Sequence, residues 1–147
     1  PDQARGLAHE VLEEALSSGE IGFRPEVQDL VAALQAQDWE VWVVTASTPY
    51  AVQVAASHYG VSPDFVLGMD LVTLDGLLAP AIRGPVCFGP GKVQVIRERI
   101  GRVPDLALGD APTDLDMLRF SGQALLVGEH PQMLRVAGQD WWMQPSF

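Results

Sequence analysis

Asp110 and Asp114 stand four residues apart in Gly109-Asp110-Ala111-Pro112-Thr113-Asp114, directly after the apolar run Leu106-Ala107-Leu108. A strand that turns into a helix at this point carries both carboxylates to the carboxyl end of a sheet, the crevice where parallel sheets gather ligands. Hard oxygen donors there suit Mg²⁺, which takes one or two carboxylates and completes its shell with water and substrate phosphate. The same letters also read as a helix start, with Thr113 as N-cap and Asp116 three residues on. Asp114 and Asp116 then fall in the first turn, where the helix dipole favours each by about 0.3–1 kcal/mol. Capping accounts for Asp114 and leaves Asp110 without a reason.

Two other segments place reactive groups at comparable junctions. Glu40 to Val44 is a short run of β-branched and aromatic residues, the composition of a buried strand, and it stops at Thr45-Ala46-Ser47-Thr48-Pro49. Pro49 fits a first helical turn, and Tyr50 to Tyr59 reads as a helix closed by Gly60. The hydroxyls and amides of the loop therefore lie at a helix N-terminus, where anions bind. Ser47 or Thr48 can serve as a cap; Thr45 is the residue that capping explains least.

Phe88-Gly89-Pro90-Gly91-Lys92 then opens an amphipathic segment, Val93 to Ile100, with Val93, Val95, Ile96 and Ile100 on one face. The dipole disfavours a cation at a helix start, so Lys92 calls for an anionic partner; an exposed lysine without a role is the alternative. A phosphate-cradling P-loop is ruled out, because Val86 stands five residues before Gly91 and Val93 follows the lysine.

Thr45, then Lys92, then Gly109-Asp110-x-x-x-Asp114, each at a strand end or helix start, resembles the last three signature motifs of the haloacid dehalogenase superfamily of phosphohydrolases. Val43 to Pro49, Cys87 to Lys92, Leu108 to Leu118 and the tail Ala124-Leu125-Leu126-Val127 look most like the branch that contains phosphoserine and phosphorylcholine phosphatases. The resemblance covers nearly all of the chain from Phe23 onward. It implies a Mg²⁺-dependent phosphatase of small phosphomonoesters that acts through an aspartyl-phosphate. In that reading Thr45 hydrogen-bonds the phosphoryl oxygens together with the Ala46 and Ser47 loop, and Lys92 offsets their charge. Asp110 ligates Mg²⁺, and Asp114 shares the metal site or orients Lys92. Ala111 stands where relatives often carry a small hydroxyl or Gly, and Asp116 is an additional acid.

The family's nucleophile is the first Asp of an Asp-x-Asp motif ending the first strand, and no such strand precedes Thr45. Asp2 lies in a polar stretch; Asp70 and Asp75 are separated by four residues and belong to the pattern of a hairpin. The expectation is that the motif lies in a missing N-terminal piece and that the chain by itself is inactive. A non-catalytic phosphate-binding module with the same fold is the alternative reading. A receiver domain is disfavoured by chain order, because its acids precede its Thr and Lys.

The elements that must position these groups are legible from periodicity. Ala4 to Leu16 and Glu26 to Gln37 read as helices, the second apolar at Val27, Leu30, Val31 and Leu34. Strands are predicted at Val41 to Val44, Phe65 to Leu67, Leu106 to Leu108, Ala124 to Val127 and Trp141 to Met143. A hairpin is predicted from Met69 to Ile82 around Asp75-Gly76. This alternation is an α/β pattern. With the resemblance it gives a three-layer, Rossmann-like parallel sheet with helices on both faces and a small hairpin. Residues 1–24 are then the end of a helical cap and its linker, and residues 25–147 a core lacking its first strand.

With 147 residues, 48% hydrophobic and 19% charged, the chain can bury a substantial core. A formal net charge of −10 and the absence of any basic run argue against nucleic acid. No stretch approaches the roughly 20 apolar residues of a membrane span. The expected partner is a small phosphorylated metabolite, and the single cysteine, Cys87, fits a reducing, cytoplasmic setting. His9, His58 and His130 lack neighbours at ligand spacing and read as surface or packing residues. Trp141-Trp142 reads as core closure beside a C-terminal strand.

Overall fold

The computed structural model describes residues 2–144, which divide into two compact units with the boundary between Gly84 and Pro85. In the first, α1 (Asp2–Ser17) packs along α3 (Pro49–His58), while α2 (Pro25–Gln35) leads to β1 (Val43–Val44). A 3₁₀ turn (Pro63–Phe65) precedes β2 (Val66–Leu67), which pairs parallel to β1 with Val43 opposite Val66 and Val44 opposite Leu67. The α2 periodicity does what it predicts: Val31 joins Ala56, Val61 and Val66 in the core, with Val27, Val41, Val43 and Phe65 packed against them. The strand expected from Val41 shrinks to two residues, although Val41 still packs inward.

Trp42 stacks edge-on against Phe65 at 4.6 Å, but its indole Nε1 is buried without a hydrogen-bond partner among the described residues. A buried donor left unpaired costs about 1–3 kcal/mol. Trp42→Phe, which removes the donor and keeps an aromatic ring, is therefore expected to change stability by less than about 1 kcal/mol. Trp42→Ala is expected to lose about 3–5 kcal/mol. Urea denaturation of the two variants checks this, and an equal loss from both would assign the cost to something other than the ring.

The predicted hairpin is present as β3 (Leu71–Leu74) and β4 (Leu77–Ile82), antiparallel, with Asp75 and Gly76 both at positive φ (49° and 79°). This is the pair of left-handed residues that a two-residue turn needs to match the twist of its strands. An aromatic cluster ties the entry to α2 to the C-terminal end of α3. Phe23 stacks on His58 at 4.3 Å and meets Tyr59 edge-on, and Tyr59 Oη accepts the Arg24 N–H. His58 is thus a packing residue, as expected.

In the second unit, α4 (Pro90–Arg99) precedes a parallel ladder of β5 (Leu106–Gly109), β6 (Gln123–Val127) and β7 (Trp142–Gln144) in that order. A 3₁₀ turn (Pro112–Asp114) and α5 (Leu115–Phe120) connect β5 to β6, and α6 (Pro131–Val136) connects β6 to β7. Ile96, Leu118, Leu126, Met133 and Cys87 are its most deeply buried side chains. The α/β class with parallel strands and flanking helices is as expected. The expectation for Trp142 is corrected: it is 57% exposed, because β7 is the edge strand of its ladder. Among the described residues no helix is long and apolar enough to cross a membrane.

Candidate active site

In the first unit, β1 delivers Thr45 to the carboxyl end of its ladder, where the Thr45 N–H donates to Leu67 O at 2.8 Å. Its hydroxyl oxygen accepts the Ser47 N–H at 3.1 Å, and Ser47 O in turn accepts the Met69 N–H at 2.9 Å. Gly68 permits this closure: a Cβ there would stand 2.5 Å from Ser47 O and 3.1 Å from Thr45 Cγ2. Thr48 occupies the N-cap of α3 without a side-chain capping bond. Capping is therefore not what the hydroxyl residues of this loop provide. Thr45 and Ala46 are half-buried, and Ser47 is exposed.

In the second unit, Lys92 lies in the first turn of α4 and is only 6% exposed, which excludes an idle surface lysine. Its ammonium meets Asp114 Oδ1 at 2.6 Å, both side chains being buried. Asp114 Oδ2 accepts the N–H groups of Asp110 and Ala111, each at 3.3 Å. The Asp114 N–H returns a bond to Ala111 O at 2.9 Å. One carboxylate thus ties the α4 lysine to the loop that carries Asp110. The N-cap reading of Thr113 fails here. Helix α5 begins after a 3₁₀ turn, and Asp114 gives α5 no side-chain cap; its carboxylate turns back, one oxygen accepting the N–H of Ala111 at the start of the 3₁₀ turn and the other meeting Lys92.

Glycines make the approach possible. A Cβ on Gly109 would fall 2.6 Å from Asp114 Cβ, so the end of β5 must be bare for Asp114 to fold over it. A Cβ on Gly91 would overlap the Val86 carbonyl oxygen. Gly89 sits at φ 51°, ψ −123°, a region closed to L-residues, and donates its N–H to Thr113 O at 3.2 Å. None of these requirements was singled out by sequence reasoning, although a glycine directly after an apolar strand is the signal for a close approach. Gly91→Ala is expected to destabilise the protein by about 1–3 kcal/mol through forced backbone displacement. A thermal melt unchanged from wild type would contradict that contact.

Asp110 is exposed, and its carboxylate makes no hydrogen bond among the described residues. The donor set fits a hard cation that takes one carboxylate from this loop, because Asp114 is already engaged by Lys92 and two amides. Among the described residues no cluster of three or more His, Cys, Asp or Glu forms a self-sufficient metal cage.

Residues 2–119 match the haloacid dehalogenase-like hydrolase family, and the chain belongs to it. Within that family the chain is 34% identical over 116 residues to a phosphoserine phosphatase of Halobacterium salinarum, an alignment covering 76% of this chain and 54% of that protein. It thus spans about half the length of that curated relative. A protein of unknown function from Bordetella pertussis superimposes with a TM-score of 0.84 at 18% identity, covering 98% of this chain and 66% of that one. A phosphoserine phosphohydrolase-like protein from Francisella tularensis gives 0.65 at 14% identity, covering 81% and 57%. At such identities the two structures speak for the fold.

Proposed function

We propose that this chain supplies the phosphate- and metal-handling part of a Mg²⁺-dependent phosphatase for small phosphomonoesters. The observation that carries the reading is the buried Lys92–Asp114 pair tied to the Asp110 loop. Phosphoryl transfer is catalysed chiefly by positioning and by fixed positive charge at the equatorial oxygens. A lysine locked at a helix start by a buried carboxylate is such a charge, held without reorganisation. In the first unit, Thr45 is assigned to phosphate on its own geometry: its oxygen accepts from Ser47 N–H, which leaves the O–H to donate to a phosphoryl oxygen. The Ala46 and Ser47 backbone completes the phosphate loop at the start of α3.

Asp110 is the residue assigned to hold Mg²⁺, which when bound offsets charge on the phosphate. Asp114 acts as the positioning group, keeping the ammonium and the Asp110 loop in register. In this reading the nucleophile is not among these 147 residues: an Asp carboxylate oxygen bonds to phosphorus as the P–O bond to the ester oxygen breaks, and the departing oxygen takes a proton from a second Asp of the same motif, which then accepts one from the attacking water. Water then cleaves the acyl phosphate, releasing inorganic phosphate and restoring the carboxylate. The organisation into residues 1–24 as the end of a cap and 25–147 as a core belongs to the same proposal, as does a small phosphorylated metabolite as partner.

The absence of an Asp-x-Asp motif from these residues also favours a second reading, a phosphate-binding module without turnover. Phosphate release from a panel of small phosphomonoesters, measured with Mg²⁺ and with chelator, separates the two. The full-length protein is expected to turn over in a metal-dependent way and the 147-residue chain to be inactive. Binding of phosphate without turnover in either would establish the module.

A further inference from the structure

Between Pro85 and Gly91 the chain carries no charge, yet it runs into the most tightly tied part of the second unit. The side chains alternate: Val86 is 52% exposed, Cys87 fully buried and Phe88 55% exposed. Cys87 thereby anchors a tight turn flanked by two exposed apolar side chains. The Phe88 N–H donates to Val86 O at 2.8 Å, and the Gly91 N–H donates to Phe88 O at 3.0 Å. Gly89, in its glycine-only conformation, is buried and bonds Thr113 O. A Cβ on Gly89 would stand 3.7 Å from Asp116 Oδ2.

These ties fix where the aromatic ring starts. Neighbouring Cα atoms are about 3.8 Å apart, so Phe88 is rooted one residue from the backbone that touches the Asp110–Asp114 turn. Four residues further along the chain, in the first turn of α4, is Lys92. An isolated exposed Phe is ordinary on a protein surface. An aromatic rooted one residue from the carboxylate turn and four residues from a buried lysine stands where apolar side chains flank a few polar groups in ligand sites.

We propose that Val86 and Phe88 form an apolar ledge at the rim of the Lys92 and Asp110 site. The ledge receives the organic part of the phosphoester and favours leaving groups with an aromatic or otherwise apolar face. The inference rests on the phosphatase reading above and deepens it. The ledge contributes binding that is the same in the ground state and the transition state, so its loss appears in KM with kcat retained.

The test uses the full-length protein with Phe88→Ala, Phe88→Leu and Val86→Ser, and compares phenyl phosphate with glycerol phosphate. Phe88→Ala is expected to raise KM for phenyl phosphate by about 10-fold, the scale of apolar discrimination in a pocket. Glycerol phosphate and inhibition by inorganic phosphate should shift by less than about 2-fold. Phe88→Leu should fall between wild type and Phe88→Ala, and because Phe88 is exposed each variant should keep the wild-type melting curve. Equal changes for both esters, or none, would overturn the ledge while leaving the phosphatase standing. A wild type without metal-dependent turnover brings down both. A change in sedimentation with unaltered kinetics would assign the ledge to a protein contact and overturn its substrate role.

Discussion

Lys92→Met is expected to lower stability by about 3–5 kcal/mol, a large share of the 5–15 kcal/mol that holds a typical domain. The methionine fills much of the volume of the lysine stem, so the loss is electrostatic. Among the described residues it leaves the buried Asp114 carboxylate with the two amide donors at 3.3 Å and no cation. Lys92→Met combined with Asp114→Asn should recover about half of that loss. The Asn carbonyl oxygen still accepts from Asp110 and Ala111, and no unpaired charge remains. Urea denaturation of the single and double variants gives the coupling energy directly. Strictly additive losses would mean that the 2.6 Å contact is not the interaction that holds the lysine.

Asp110→Asn in the full-length protein is expected to reduce Mg²⁺-dependent phosphate release by at least about 100-fold, since charge neutralisation by a bound cation is worth several kcal/mol and each 1.36 kcal/mol is tenfold. The fold should survive, because the side chain is exposed and makes no bond among the described residues; what the loop needs from Asp110 is its N–H, which Asn retains. The decisive comparison is the Mg²⁺ concentration giving half-maximal rate. A variant whose rate recovers at high Mg²⁺ has lost affinity for the cation, as proposed. One with unchanged rate and unchanged Mg²⁺ dependence would remove Asp110 from the site and shift the metal elsewhere.

The two experiments probe different halves of one arrangement. The ion pair is buried and is therefore read through stability, whereas the Asp110 carboxylate is exposed and is read through activity. A protein in which Lys92→Met abolishes turnover without affecting stability would have its lysine in solvent, which the burial of both partners excludes.

Much of the architecture was legible in the chain. Alternating apolar runs and 3.6-residue periodicities located α2, α3 and α4 within a few residues, and Asp75-Gly76 marked the hairpin. Element ends were less legible. Val41 and Trp42 have strand composition but fall outside the two-residue ladder of β1, and Phe65 belongs to a 3₁₀ turn. Composition reports burial, whereas a ladder also requires a partner in register. The short helix α6 passed unnoticed because six residues do not carry a readable period.

The sequence by itself determined the chemistry on offer: a hydroxyl, a lysine and two acids, each at a strand end or helix start, in an order that resembles one hydrolase family. What only the tertiary structure decided was how those groups are used. From the letters alone Asp114 served equally as helix cap, metal ligand or partner of Lys92, and Lys92 equally as an idle surface cation. Packing removed the ambiguity. Once α4 buries its first turn, the ammonium must have an anion within reach, and bare Gly109 lets Asp114 supply one. Residue type sets what a side chain can do, but the cost of desolvating it, which selects among its options, exists only where the folded chain excludes water.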